Sequence, residues 1–205
     1  MLISISGVDG SGKTTLRSNL ADLLSRKGGV RVHEIKNPSP AYAKNHHIEA
    51  FRANGTYSIS IEAMALLSAF DRLEQFETEV KPRLAAEEWV IMDRFILDGL
   101  ASFTYRGVDH DWVRSLNRHV PWPDLAFFID CPPTVAIERI RQRGGKMTYD
   151  EKSIEILEQK HNAFNDWVGR LPVIRIDGLM SPSDVLNEVH GWITKESSRP
   201  RSRDR

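Results

Sequence analysis

A three-layer α/β/α fold, built on a central five-stranded parallel sheet, is predicted by three observations. Short apolar runs alternate with longer amphipathic segments from end to end, the pattern of strands separated by crossover helices. The first apolar run feeds directly into a glycine-rich turn followed by helical periodicity. The length, 205 residues, suits one α/β domain with a full-sized core.

Strands are expected at 2–6, 31–35, 89–93, 125–130 and 173–177, all short and mostly apolar, as strands covered on both faces should be. The helix at 14–27 carries Leu16, Leu20, Leu23 and Leu24 on one face. Further helices are expected at 39–53, 58–87, 111–119, 133–143, 151–170 and 182–195. Pro82 inside the longest one predicts a kink or break near Val80, because proline removes a hydrogen bond and crowds the preceding turn. Residues 1–195 read as a single domain with a small helical lid at about 143–151, and 196–205, polar and basic without periodicity, as a disordered, solvated tail.

Composition narrows the functional classes. Basic and acidic residues balance at 28 each, so no global field favours nucleic acid or an anionic membrane. The longest apolar runs fall well short of the about 20 residues of a membrane span, and the start of the chain lacks a signal-peptide pattern. A cytoplasmic protein is expected. The one cysteine, Cys131, excludes an internal disulfide and reads as a buried thiol at a strand end.

The run GVDGSGKTT at 7–15 fits the phosphate-binding loop pattern through Gly7, Gly12, Lys13 and Thr14. Its glycines, Gly10 among them, let successive N–H groups, with Ser11 and Thr15 alongside, converge on phosphate oxygens. Lys13 would reach the β- and γ-phosphates of ATP, and the Thr14 hydroxyl would ligate Mg²⁺. A P-loop NTPase-type fold follows. At the end of the third strand stand Asp93, suited to hold Mg²⁺ through water, and Arg94, suited to grip a phosphate. Ligands collect beyond the carboxyl ends of parallel strands, so this pair should face the loop. The guanine-reading tetrapeptide Asn-Lys-x-Asp is absent, and the chain is short for a motor or helicase.

The block LLSAFDRLEQFETEVKPRLAAEEWVIMDRF at 66–95 resembles the thymidylate kinases, as do WPDLAFFIDCPPTVAIERIRQRG at 122–144 and ILEQKHNAFNDW at 156–167. With the loop, the similarity spans most of 2–177. The resemblance implies transfer of the ATP γ-phosphoryl group to the 5′-phosphate of a pyrimidine deoxynucleotide, dTMP foremost, with Mg²⁺ and in a homodimer. It implies Asp9 near the sugar 3′-hydroxyl, Arg94 on the acceptor phosphate, Arg72 on the base and Lys36 near the acceptor phosphate. Arg139 and Arg143, four residues apart, share a helix face, and with Lys146 beyond Gly144 and Gly145 they would form a cationic lid. The resemblance further implies a catalytic arginine either in the loop or in the lid; this loop carries none, which makes Arg143 the leading catalytic lid residue alongside Lys13 and Arg94.

Three departures fall on the acceptor side. Ser68 stands where the family stacks an aromatic ring, with Phe70 nearby; Asp98 and Ser102 occupy the places of a hydroxyl residue and a tyrosine; and KNPSPAYAKNHH replaces a glycine-rich segment. Asp98 could bond a more polar nucleoside or serve as a helix cap or ion-pair partner. A related kinase acting on another nucleotide, a nucleoside or a specialised metabolite is the alternative, and a nucleotide-binding regulator without transfer a more distant one. His46 and His47 read as helix-surface residues, and the pairs Glu77/Glu79 and Glu87/Glu88 as solvated.

Overall fold

The computed structural model describes residues 1–27 and 29–198. Five parallel strands form one sheet: β1 (Leu2–Ser6), β2 (Val32–Lys36), β3 (Trp89–Asp93), β4 (Leu125–Asp130) and β5 (Ile174–Asp177), in the order β2-β3-β1-β4-β5. Alternation along each strand sends Ile3, Ile5, Ile91, Phe127 and Ile129 to one face. There they pack against α1 (Lys13–Lys27) and α10 (Pro182–Ser197), through Leu16, Leu20, Leu24, Val185, Val189 and Ile193. Leu2, Val90, Met92 and Phe128 point the other way, into a larger core with α4 (Ile61–Gln75), α6 (Ile96–Thr104), α8 (Pro133–Arg143) and α9 (Ile154–Val168). The two apolar layers bury the strands on both sides, which is why the runs read as continuous rather than alternating.

Several helices depart from expectation. The segment expected at 39–53 is two helices, α2 (Pro40–Ala43) and α3 (His46–Asn54), each opened by a side-chain cap from Ser39 and Asn45. The expected long helix starts at Ile61, capped by Ser60, and passes through a π-helical turn at Phe76–Val80 into α5 (Lys81–Ala85). The irregularity falls where Pro82 predicts it, the proline sitting in the first turn of α5. The helix expected at 111–119 is the shorter α7 (His110–Leu116). Where 151–170 was expected to be one helix, a 3₁₀ turn at Tyr149–Glu151 precedes α9. Helix α10 extends to Ser197, so the first residues of the expected tail, 196 and 197, are helical; 199–205 lie outside the described residues.

Helix α6 has no counterpart in the sequence reading. Seven of its nine residues, from Ile96 to Phe103, are buried, so no polar face announces a 3.6-residue period. Among the described residues no helix is long and apolar enough to cross a membrane.

Candidate active site

The carboxyl ends of β1 and β3 lie side by side, Ile5 opposite Asp93, and bring the loop after one strand against the Asp-Arg pair after the other. The loop is a tight turn: Ser11 N–H donates to Val8 O at 3.2 Å, and Leu16 N–H donates to Gly12 O to open α1. Gly10 has φ +82°, and a Cβ there would stand 2.3 Å from Ala136 O of α8, so only glycine lets the loop pass so close. Thr14 and Thr15 are exposed at the start of α1, where free N–H groups and the helix dipole favour an anion. Lys13 is buried at the centre of the loop; its Nζ donates to Val8 O at 2.6 Å and lies 3.4 Å from Ser11 Oγ. Burial, followed by repulsion from Arg94, pulls its ammonium down to about 7.

Arg94 joins the loop to the sheet. Its guanidinium donates to Asp9, to Asp98 Oδ1 at 2.8 Å and to Gly7 O at 3.3 Å. Its backbone is left-handed at φ +69°, a conformation costing a non-glycine residue roughly 1 kcal/mol or more, and its N–H is fixed on Ile5 O at 3.0 Å. Burial would lower its pKa, but Asp9, Asp98 and Asp93 outweigh burial and raise it, so the charge is permanent. Burial would likewise raise Asp9, yet Arg94, Lys160 and Lys13 hold that carboxyl well below the usual range. Asp98 also caps α6 through the Phe95 N–H, which makes it an ion-pair partner and a cap at once.

Beyond Arg94 lies Arg72, only 2 % exposed. Its Nη1 donates to Asn117 Oδ1 and its Nη2 to Ser68 Oγ at 3.2 Å, while Nε is buried without a partner. Burial lowers it to about 10, with Tyr42, Asp98 and Asp71 acting the other way. Gly99 of α6 makes room for this side chain, since a Cβ there would come within 2.3 Å of Nη2. A buried guanidinium bonded to neutral oxygens, with one donor spare, is a strong attractor for a carbonyl or an anion.

Asp93 is buried and accepts from Arg17 Nη1 at 2.7 Å, Arg17 itself reaching Glu34 at 2.7 Å. Thr14 and Asp93 offer hard oxygen donors of the kind Mg²⁺ takes. Lys36 ends β2 opposite Asp93, with its side chain exposed and its carbonyl accepting from Gln75. Arg139 and Arg143 do not act as one face: Arg139 turns toward Gly178 O and Cys131, whereas Arg143 donates to Glu151 Oε1 at 2.8 Å, spanning the lid. Lys146 is exposed between α8 and the 3₁₀ turn at Tyr149–Glu151. Ser102 O accepts from Arg106.

Phe70 stands apart from the residues expected to surround the acceptor. Two positions before Arg72 on α4, it projects from the opposite side of the helix and is 69 % exposed, beside Leu66. The rings of His46 and His47 lie 3.7 Å apart at a tilt of 42°, and His47 meets Ser58 at 2.7 Å.

A profile described as "Thymidylate kinase" matches residues 5–189. The chain belongs to the thymidylate kinase family. It is 32 % identical over 202 residues to a protein of Thermococcus onnurineus (strain NA1) named "Probable thymidylate kinase", covering 96 % of this chain and 98 % of that one. A "Thymidylate kinase" of Xanthomonas campestris pv. campestris (strain B100) is 38 % identical over 144 residues, covering 70 % of this chain and 62 % of its own. Like its relatives, this thymidylate kinase family member is a phosphotransferase of the nucleoside monophosphate kinase type. The sequence reading passed over Arg17, Tyr42, Arg106, Asn117, Asp150 and Lys160, all of them tied to the expected site residues. Their spacing along the chain gives no cue, because each contributes one group to a network closed by the fold.

Proposed function

We propose that this kinase transfers the γ-phosphoryl group of ATP to the 5′-phosphate of dTMP. The observation that carries the proposal is a pair of arginines beside the loop, the partly buried Arg94 held by Asp9 and Asp98 at the end of β3 and the buried Arg72 on α4 with an unpartnered Nε, one suited to clamp a phosphate and the other to read a base carbonyl. Lys13, with the loop N–H groups of Gly10, Gly12, Thr14 and Thr15 and the Ser11 side chain, would hold the donor phosphates. Arg94 would draw the acceptor phosphate into line, since phosphoryl transfer needs two polyanions aligned and their charge offset. Thr14 and, through water, Asp93 would hold Mg²⁺, which when bound supplies charge neutralisation between the phosphates. Arg143, tethered by Glu151, would close the lid over the moving group with Arg139 and Lys146 nearby. Lys36, Ser68 and Asp98 would line the acceptor side, Asp98 by holding Arg94 rather than by reading the base.

The outward apolar pair Leu66 and Phe70, with Ile59 and Leu67 around them, supports a homodimer through α4. A panel of nucleotides and nucleosides in a coupled ADP-release assay tests the acceptor. Fastest turnover with dTMP is expected; negligible turnover of dTMP beside rapid turnover of another acceptor would overturn the assignment and favour the related kinase to which the small Ser68 points.

A further inference from the structure

Lys160 lies on α9 with its side chain only 6 % exposed, and its Nζ stands 3.3 Å from Asp9 Oδ2 and 3.9 Å from Asp150 Oδ2. Burying an ammonium is costly unless carboxylates surround it, and these two come from the phosphate-binding loop and from the 3₁₀ turn that ends the expected lid segment. Lys160 thereby completes a row of alternating charges: Asp98, Arg94, Asp9, Lys160, Asp150 and Arg106, the last meeting Asp150 Oδ2 at 2.7 Å. Arg106 stacks on Phe51 of α3 at 4.8 Å and on Tyr105 at 4.2 Å. The same turn is held on α3 by Tyr149, edge-on to Phe51 at 5.9 Å, and by Lys152, which donates to Ala53 O at 3.3 Å.

We propose that Lys160 is a positioning residue for the acceptor half of the reaction, sharing Asp9 with Arg94 and tying the phosphate-binding loop to the 3₁₀ turn at 149–151. The proposal rests on the reading of Arg94 as the acceptor-phosphate clamp. Asp9 spends one carboxylate oxygen on Arg94 and the other on Lys160. A carboxylate divided between two cations offsets each only in part, so Arg94 keeps positive potential for an incoming phosphate. The three cations and three carboxylates of the row balance; without the ammonium the row carries a net negative charge facing a dianion. The ammonium also anchors the turn that roofs this side, so position and potential change together.

The test compares Lys160→Met, which keeps the length of the side chain, with Lys160→Arg, which keeps its charge, in the full chain with ATP, Mg²⁺ and dTMP. For K160M we expect kcat/KM for the acceptor to fall on the order of tenfold or more while KM for ATP stays within about twofold, the signature of a charge lost from one half of the site. K160R should recover to within about threefold, as charge rather than shape is at stake. Acceptor kinetics unchanged in K160M, or K160R impaired as severely as K160M, would overturn the proposal. Hydrogen exchange read on the protein alone supplies a measure that needs no acceptor: amides at 149–152 should exchange faster in K160M and not in K160R, and equal rates in all three proteins would refute the tie. If the wild type turns over no dTMP yet exchange changes as expected, the acceptor assignment has failed and the tie stands; the kinetic comparison then uses the acceptor the nucleotide panel identifies.

Discussion

The proposed donor half and the proposed acceptor half of the site are built by different means. The donor half is one continuous turn, residues 7–15, whose function resides in backbone N–H groups and one lysine, so a single short sequence specifies it. The proposed acceptor half is assembled from α2, α4, α6, α7, α9 and the 3₁₀ turn at 149–151, and its cations lean on carboxylates far away in sequence, such as Asp9 with Lys160. A local device tolerates little change but is easily recognised. A distributed one can be retuned residue by residue, and Ser68, Asp98 and Ser102 are the positions where this chain departs from the pattern it was expected to share.

This contrast can be broken by mutation. Lys13→Ala should have the largest effect, a loss of about 10³-fold in kcat whatever the acceptor, since it removes the charge facing the moving group. Steady-state kinetics with two acceptors checks it, and an acceptor-dependent loss would erase the distinction between halves. Arg72→Met should act on one half alone, raising the acceptor KM about tenfold or more at near-constant ATP KM, the value of a charged hydrogen bond from a buried donor. If both KM values rise alike, Arg72 supports the fold rather than the base.

A pH experiment sharpens the donor side. Lys13 titrates at about 7 because it is buried beside Arg94, whereas phosphates would restore the charged form. Binding of ATP at pH 8 should therefore take up protons, seen as a dependence of calorimetric enthalpy on buffer ionisation that disappears in Lys13→Met. The folded-state pKa lies below the unfolded one, so the unfolded chain holds more protons between about pH 7 and 10, and this lysine makes stability rise with pH across that window. The smallest effect is expected at Phe70. Its ring points away from Arg72, so Phe70→Ala should leave acceptor KM within about twofold, the range of an ordinary surface change. A loss comparable to that of Arg72→Met would place the ring in the acceptor site after all.

Much of this protein was legible without coordinates. Five strands were readable as apolar runs between turn residues, and the loop, Asp93 and Arg94 followed from motif and strand-end position. Helix α6 was not, because a helix buried nearly all round loses the periodicity that reveals helices. Phe70 looked like a candidate by its nearness to Arg72 in sequence, but two residues along a helix are about 200° of rotation. Arg139 and Arg143 share a helix face by count, yet Gly178 O draws one and Glu151 the other.

The sequence by itself determined the sheet and the phosphate loop, because these depend on local periodicity and on glycines whose backbone freedom is needed within a few residues, while the kinase family was legible only through the resemblance of whole blocks. Only the tertiary structure decided which charges meet. Pairing of Asp9 with Lys160, or of Arg72 with Asn117, depends on helices packed by the core, and a carboxylate's partner is set by distance in space.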